Sequence, residues 1–222
     1  MDICGLIMAR SGSQRVPNKN IRKFADSSLL EIKIKQLNKL DGLSKVYVNS
    51  DCDEILSIAD KAGAHTIKRD PHYATNEVSI NEVYKNLAES VFPHEHVLFA
   101  HLTSPLVKFE SLKECFEMYK KIEVQGKYDS LATVTDVHKF MWYKDKAINY
   151  DPENMPRSQD LPDYYVLNFA FNILKRDLMI ERKNIIGKSF YPYHLDELEA
   201  YDIDTEIEFK IAEYIYKESN NE

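Results

Sequence analysis

Apolar and polar residues follow two patterns along this chain, that of a buried strand and that of an amphipathic helix. Short runs rich in Ile, Leu and Val predict strands, and apolar residues three and four apart predict helices. Up to residue 134 the two kinds of segment follow each other in turn, which is typical of a parallel sheet with connecting helices. We predict strands at residues 3–9, 46–48, 65–68, 96–102, 130–134 and 166–174, and helices at 29–40, 54–62, 79–91, 110–122, 176–182 and 207–216.

The loop after the first strand carries three cations, Arg10, Arg15 and Lys19, around Gly12. In an open α/β sheet, ligands bind at the carboxyl ends of the strands, which is where this loop begins. Cationic side chains and free backbone amides in such a loop can surround one anion, such as a phosphate. On charge alone, a solvated loop that is merely basic is the simpler explanation.

Residues 136–165 interrupt the alternation of strands and helices. They contain the only tryptophan, Trp142, three prolines and five further aromatic residues, and no periodicity persists in them. A segment of this composition is either a lid over an active site, an arm that forms a dimer, or a locally packed excursion on the surface. The density of aromatic residues favours a contact surface.

Composition limits the classes of function. The chain has 222 residues, 44% of them hydrophobic and 29% charged, so we expect one domain over residues 1–222. The net charge of −7 argues against a nucleic-acid-binding surface and sets the basic loop apart as a site for a small anion. No apolar run is long enough for a membrane span, and Met1-Asp2 leads into the first strand without a basic segment. We therefore expect a cytoplasmic protein without membrane contact.

Two carboxylates, Asp202 and Asp204, precede the last helix. On an extended strand, residues two apart face the same side, so both carboxylates can converge on one hard cation. Mg²⁺ is commonly held by one or two carboxylates together with substrate phosphates. Alternatively, Asp204 is the N-cap of the last helix, which leaves Asp202 without a role.

Four segments resemble, in order, those of the acylneuraminate cytidylyltransferases, the CMP-sialic acid synthetase family. The first is Ala-Arg-x-Gly-Ser-x-x-x-x-x-Lys-Asn at residues 9–20, and it matches neither the phosphate loop of nucleotide hydrolases nor the dinucleotide fingerprint. The others are Thr-Ser-Pro-Leu at 103–106, Arg-x-Gln-x-Leu-Pro at 157–162, and Asp-Ile-Asp-x-Glu at 202–206. The four segments are short, but they are distributed along nearly the whole chain.

The resemblance implies an α/β fold of the nucleotide-diphosphosugar transferase type. This is a mostly parallel, Rossmann-like sheet with helices on both faces, here with a dimerisation arm at about 136–165. It also implies a homodimer that transfers CMP from CTP to an acidic 2-keto sugar with Mg²⁺ and releases pyrophosphate. The same resemblance implies three catalytic residues, Arg10, Lys19 and Asp202, and two metal ligands, Asp202 and Asp204. The nucleotide contacts that it implies are Arg10, Ser11, Gly12, Arg15, Lys19, Asn20, Arg69 and Ser79. The substrate contacts that it implies are His101, Thr103, Ser104, Gln159, Asn168 and Phe169.

Two departures from the family pattern fall on its sugar side. His101 stands where the family usually has Gln, and Phe169 stands where it has Gly. The acceptor is therefore less determined than the nucleotide, and another 3-deoxy sugar acid or a phosphonate remains an alternative. A nucleotide-binding subunit without activity is a further alternative, against which the joint presence of Arg10, Lys19, Asp202 and Asp204 argues.

Overall fold

The computed structural model describes residues 1–13, 15–75 and 77–220. Four of the predicted strands and helices have the bounds expected from the sequence within one residue, and the others are longer or shorter by a few residues. The strands are β1 (Ile3–Met8), β2 (Lys23–Phe24), β3 (Ser27–Ser28), β4 (Val46–Ser50), β5 (His65–Lys68), β6 (His96–Ala100), β7 (Ser130–Val137), β8 (Trp142–Tyr143), β9 (Lys146–Ala147), β10 (Tyr164–Lys175) and β11 (Phe190–His194). The α-helices are α1 (Leu29–Asn38), α2 (Asp53–Lys61), α3 (Ile80–Glu89), α4 (Phe109–Gln125), α5 (Arg176–Arg182) and α6 (Glu206–Asn220), and short 3₁₀ turns occur at Pro71–Ala74 and Ser158–Asp160.

One sheet of seven strands organises these elements, in the order β11-β7-β10-β6-β1-β4-β5. The β1, β4, β5 and β6 strands are parallel, as are β7 and β11, whereas β10 is antiparallel to both of its neighbours. The predicted mostly parallel sheet is therefore confirmed, with one reversed strand in its interior.

Helices cover both faces of this sheet, as predicted. On one face, buried side chains of α1, α2, α4 and α6 join the core, and on the other face those of α3 and α5 do so. Along β1, Ile3 and Ile7 belong to the first core, and Cys4 and Leu6 belong to the second. A strand that is buried on both faces has to be apolar throughout, which explains the continuous apolar run at the start of the chain.

The segment at 136–165 is an extension of the sheet. The β7 and β10 strands continue their antiparallel pairing as far as Val137 and Tyr164, with an irregularity between Leu167 and Asn172. Beyond this pair, β8 and β9 form a small hairpin. The predicted break in the strand–helix alternation is therefore a two-stranded projection from the sheet.

Two further findings concern predictions made from the sequence. Residues 201–204 form no strand in the structure, so the extended strand expected to carry Asp202 and Asp204 is absent. Within the described residues, no helix is both long and apolar enough to cross a membrane.

Candidate active site

A cleft of 390 Å³ opens at the carboxyl ends of β1 and β6. The basic loop (residues 9–20) forms one side of it, and residues 101–103 and Asp204 form the other. The lining residues are Met8, Arg10, Ser13, Arg15, Val16, Lys19, Asn20, His101, Leu102, Thr103 and Asp204. The structure thus brings seven predicted site residues to one cavity. A pocket of 460 Å³ between α1, α4 and α6 contains none of them.

Polar contacts fix the shape of the basic loop. Gly12 has a φ of 75°, which only glycine adopts easily, and the space where a Cβ would lie is open. The amide and the hydroxyl of Ser11 both donate to the Asp51 carboxylate, at 3.0 and 2.6 Å. Asn20 donates through its side-chain amide to the carbonyl of Arg10 at 3.2 Å. One of the expected free amides near Gly12 is therefore already used by Asp51.

The Asp51 carboxylate is the anchor for this loop. Desolvation acts to raise its pKa, but the hydrogen bonds from Ser11 outweigh that effect, and the net pKa is lowered. Asp51 therefore stays ionised at neutral pH and holds the start of the loop against the end of β4.

Two cations of the basic loop reach across the cleft to Asp204. The Arg15 guanidinium lies 2.7 Å from the Asp204 carboxylate, and the Lys19 ammonium lies 3.8 Å from it. Lys19 also donates to the carbonyl of Ile203 at 2.5 Å. Burial lowers the pKa of Lys19, although the two aspartates act to raise it. Charges of opposite sign thus face each other across the cavity.

Asp202 lies beside the same group of charges. Asp202 is not among the residues that line the cleft. Desolvation raises its pKa, and the neighbouring Asp204 adds to this effect, while a hydrogen bond with Thr103 opposes it. A raised pKa means that ionised Asp202 lacks full compensation from its surroundings. A cation placed between the two carboxylates would supply that compensation.

The cap of α6 is Thr205, and not Asp204. The Thr205 hydroxyl accepts a hydrogen bond from the Glu208 amide at 3.3 Å, and the Glu208 carboxylate accepts one from the Thr205 amide at 2.7 Å. This is a reciprocal capping box of the Thr-x-x-Glu type. The alternative in which Asp204 serves as the N-cap is therefore excluded, and its carboxylate is directed to Arg15 instead.

Carboxylate oxygens at this site fit a hard cation. Within residues 1–13, 15–75 and 77–220, no group of three or more His, Cys, Asp or Glu side chains is arranged to hold a metal ion. Asp202 and Asp204 alone can supply two oxygen ligands, which is the usual protein contribution to Mg²⁺ when phosphates and water complete its shell. The residues therefore suit a metal that arrives with a phosphorylated ligand.

Three predicted contact residues lie away from the cleft lining. Arg69 is 3% exposed, and its guanidinium donates to the side-chain and main-chain oxygens of Asn49 at 2.7 and 2.9 Å. The Ser79 hydroxyl caps α3 by accepting from the Glu82 amide. Ser104 is 0% exposed. In this structure Arg69 and Ser79 support the backbone, and direct contact of the three residues with a ligand stays a prediction.

The remaining predicted substrate contacts lie at or beyond the edge of the cleft. Gln159 is exposed on the 3₁₀ turn of the 136–165 segment. The side chain of Asn168 donates to the Thr135 hydroxyl at 2.9 Å and accepts from the Ala170 amide at 3.1 Å, so it holds the irregular part of β10. Phe169 has a φ of 57°, is 39% exposed, and its ring lies 6.0 Å from that of His101.

His101 lines the cleft as a neutral imidazole. Burial lowers its pKa to about 4, and the positive charge of Lys33 adds to the shift. Its Nε2 atom is buried and has no hydrogen-bond partner among the residues that the structure describes. His101 therefore cannot pair with an anion as a cation at neutral pH, and it offers a hydrogen bond or an apolar ring face instead.

Sequence reasoning missed several residues that build this site. The Thr205 and Glu208 pair was readable, because Thr-x-x-Glu before an apolar helix is a known capping signal. Asp51 was identifiable only as a polar residue at the end of a strand, and its partner Ser11 is 40 positions away. Arg22 forms a two-pronged ion pair with Glu206, at 2.7 and 2.8 Å, that ties the end of the loop to α6. No local sequence signal indicates that pair.

Comparisons with known proteins indicate the family of this chain. A family model described as cytidylyltransferase matches residues 4–221. CMP-N,N'-diacetyllegionaminic acid synthase of Campylobacter jejuni is 28% identical over 244 aligned residues, which cover 99% of this chain and 97% of that protein. N-acylneuraminate cytidylyltransferase of Oncorhynchus mykiss is 31% identical over 219 residues, and the chain spans about half of its length (49%).

A solved structure shares the fold over the whole chain. CMP:2-keto-3-deoxy-manno-octonic acid synthetase, determined in complex with CTP, has a TM-score of 0.74 at 12% identity, covering 99% of this chain and 100% of that one. This similarity supports the nucleotide-diphosphosugar transferase fold.

Proposed function

Because a family model spans residues 4–221, this chain belongs to the cytidylyltransferase family, and we propose that it transfers CMP from CTP to an acidic 2-keto sugar of the nonulosonic acid type. Pyrophosphate is the second product. One observation carries the proposal: the cations of the basic loop face Asp204, with Asp202 beside it, across a single cleft at the carboxyl ends of β1 and β6. Similarity to a legionaminic acid synthase over 99% of the chain supports the class of acceptor.

The basic loop binds the triphosphate in this proposal. Arg10, Arg15 and Lys19 line the cleft and can neutralise the phosphate charges, including the charge that develops on the departing pyrophosphate. Ser11 and Gly12 line a smaller cavity of 40 Å³ on the other side of the same loop, together with Asn20. They set the path of the backbone past the nucleotide. Arg69 and Ser79 contribute by supporting β4 and α3 rather than by direct contact.

The reaction is a displacement at the α-phosphorus. An acceptor hydroxyl oxygen forms a new bond to that phosphorus, while the bond to the bridging oxygen breaks and pyrophosphate leaves. The chain contributes mainly position and charge neutralisation, as in other phosphoryl-group transfers. Asp202, whose pKa is raised by desolvation, would accept the hydroxyl proton.

Asp202 and Asp204 would hold Mg²⁺ together with the triphosphate. The metal supplies charge neutralisation for the phosphate oxygens. In this structure, Arg15 is paired with Asp204 at 2.7 Å. The triphosphate gives Arg15 a new partner, and this change frees the carboxylate for the cation.

The acceptor lies on the side of His101 and Phe169 in this proposal. Since His101 is neutral at pH 7, it cannot form an ion pair with the carboxylate of the sugar, and a cation of the basic loop takes that role in this proposal. The Phe169 ring, next to His101, closes this side with an apolar surface. Thr103 offers a hydroxyl on the same wall of the cleft.

The projection at 136–165 is proposed to form a homodimer. Its exposed apolar residues are Trp142, Tyr143, Ile148, Met155, Tyr164 and Tyr165, continued by Val166. An exposed apolar set of this density is typical of a protein–protein contact, and a two-fold axis is the simplest way to cover it. Gln159 on this projection would then lie near the partner subunit. A cytoplasmic location, where CTP is available, belongs to the same proposal.

Light scattering at micromolar concentration is expected to give twice the 25.9 kDa mass of the chain. The double variant Tyr143→Lys, Met155→Lys places two charges in the proposed contact and should shift the mass to that of one chain. Val124→Lys alters an apolar residue on α4 that is even more exposed, and it should leave the mass unchanged. A wild-type protein that is monomeric under these conditions contradicts the homodimer.

CTP with Mg²⁺ is expected to raise the melting temperature, because a ligand that binds only the native state stabilises it by mass action. The shift should be larger for CTP than for ATP, GTP or UTP at equal concentration. Equal shifts for all four nucleotides contradict the selectivity for cytosine, and no shift with any of them contradicts nucleotide binding.

A further inference from the structure

Lys33 on α1 is buried inside the protein. Its side chain is 1% exposed, although a lysine in an amphipathic helix normally reaches solvent. Burying an ammonium group is costly unless its surroundings compensate for the lost hydration. Burial lowers the pKa of this ammonium to about 7. Lys33 is not among the residues that line the cleft, so the proposed function does not explain why a lysine is buried here.

The contacts of Lys33 lie beneath the turn that follows β6. Its Nζ donates to the carbonyl of Ser104 at 3.0 Å and to the side-chain carbonyl of Gln36 at 3.0 Å. Gln36 in turn donates to the carbonyl of Val107 at 2.7 Å. The ring of Phe171 lies 4.7 Å from the Lys33 Nζ. Two side chains of α1 thus hold both ends of the turn at residues 104–107.

This turn is connected to the carboxylates of the cleft through Thr103. The carbonyl of Thr103 accepts a hydrogen bond from the Ile203 amide at 2.9 Å. The Thr103 side chain forms a hydrogen bond with Asp202. A displacement of Ser104 therefore moves Thr103, and with it the segment that contains Asp202.

We propose that Lys33 is a positioning residue, which fixes the 103–107 turn so that Thr103 holds the Asp202 carboxylate where the metal–triphosphate binds. The proposal rests on the assignment of Asp202 as a metal ligand under the proposed function. Lys33 touches neither ligand and acts through Ser104 and Thr103.

The hydrogen bonds of Lys33 do not require a positive charge. A neutral amine still donates two hydrogens, which matches its two oxygen acceptors, Ser104 and Gln36. The nearby titratable group is His101, which is neutral at pH 7. The positioning role therefore persists on both sides of neutral pH.

The test compares CTP binding with and without Mg²⁺ by titration calorimetry, together with steady-state kinetics. Lys33→Met keeps the length and the apolar part of the side chain but removes both hydrogen bonds. We expect its affinity for CTP without divalent metal to stay within about twofold of the wild type, because the basic loop is unchanged. The gain in affinity on adding Mg²⁺ and the value of kcat should each fall by about tenfold, which is the usual scale for leaving a buried carbonyl unpaired.

Two further variants control this comparison. Lys35→Met, on the exposed side of the same helix, should behave as the wild type. Gln36→Met removes the acceptor of Lys33 and the bond to Val107, so it should reproduce the selective loss even if Lys33→Met folds poorly.

Three results overturn the proposal. If Lys33→Met keeps the full metal-dependent gain and the full kcat, Lys33 does not position the carboxylate. If both affinities and the melting temperature fall in parallel, its role is only structural. If the wild type itself gains no CTP affinity from Mg²⁺, the metal assignment fails and the inference fails with it, whereas a metal-dependent wild type confines the failure to Lys33.

Discussion

Asp202→Asn is expected to fold and to bind CTP weakly through the basic loop, but to lose turnover by orders of magnitude. The neutral amide is a poor ligand for Mg²⁺ and a poor acceptor for a proton. Because desolvation already raises the pKa of Asp202, removing its charge should leave the free energy of unfolding unchanged or slightly higher at neutral pH. Initial rates of pyrophosphate release and a thermal melt measure the two effects separately.

Three further variants separate metal binding from helix capping. Asp204→Asn should also lose turnover while keeping its stability, since Thr205 is the cap. Thr205→Ala should lower the free energy of unfolding by about 1 kcal/mol and keep most of the turnover. Asp41→Asn changes an exposed carboxylate outside the cleft and should have no effect on either quantity. Turnover of Asp202→Asn at the wild-type rate contradicts the shared-metal assignment.

Lys33→Met is expected to change how stability depends on pH. The lysine has a pKa of about 7 in the folded protein and about 10.5 when unfolded, so its burial penalty is fully present below pH 7. Between pH 7 and 10.5 the unfolded state binds more protons, and stability therefore rises with pH. Methionine has no such penalty, so the difference between wild type and variant should change by at most about 1.4 kcal/mol per pH unit.

Denaturant unfolding of both proteins at pH 6, 8 and 10 measures this difference. The free energy of unfolding of the wild type, relative to Lys33→Met, should increase by on the order of 3–5 kcal/mol across the series. Taking the difference removes the contributions of buried tyrosines and cysteines that titrate in the same range. A difference that is independent of pH contradicts the burial of an ionisable amine at this position.

The parallel part of the sheet could be predicted because each of its strands is a short apolar run that can be recognised from neighbouring residues. Residues of β1 alternate between two apolar cores, so the run is apolar throughout and easily recognised. The bounds of β5 and α5 are those predicted. The direction of β10 was not predictable, because hydrophobic periodicity is the same for parallel and antiparallel neighbours.

Part of the candidate site could also be predicted from the local sequence. Arg10, Arg15 and Lys19 lie within one loop, so their convergence follows from the end of β1 alone. Ser104 and Lys33 show what could not be predicted from the local sequence. A serine in a polar turn and a lysine in an amphipathic helix both suggest exposure, but they bury each other across 71 positions of sequence. Only the packing of α1 against the turn determines that outcome.

Pyrophosphate release from CTP in the presence of Mg²⁺ and a series of acidic acceptors tests the proposed function most directly. The series should include a nonulosonic acid, a shorter 3-deoxy sugar acid and a phosphonate, each with CTP and with ATP as the control nucleotide. We predict rapid release with CTP and the nonulosonic acid, slower release with the other acceptors, and none with ATP. Preferential release with the shorter sugar acid or the phosphonate contradicts the proposed acceptor, and no release with any of the three contradicts catalysis by this chain.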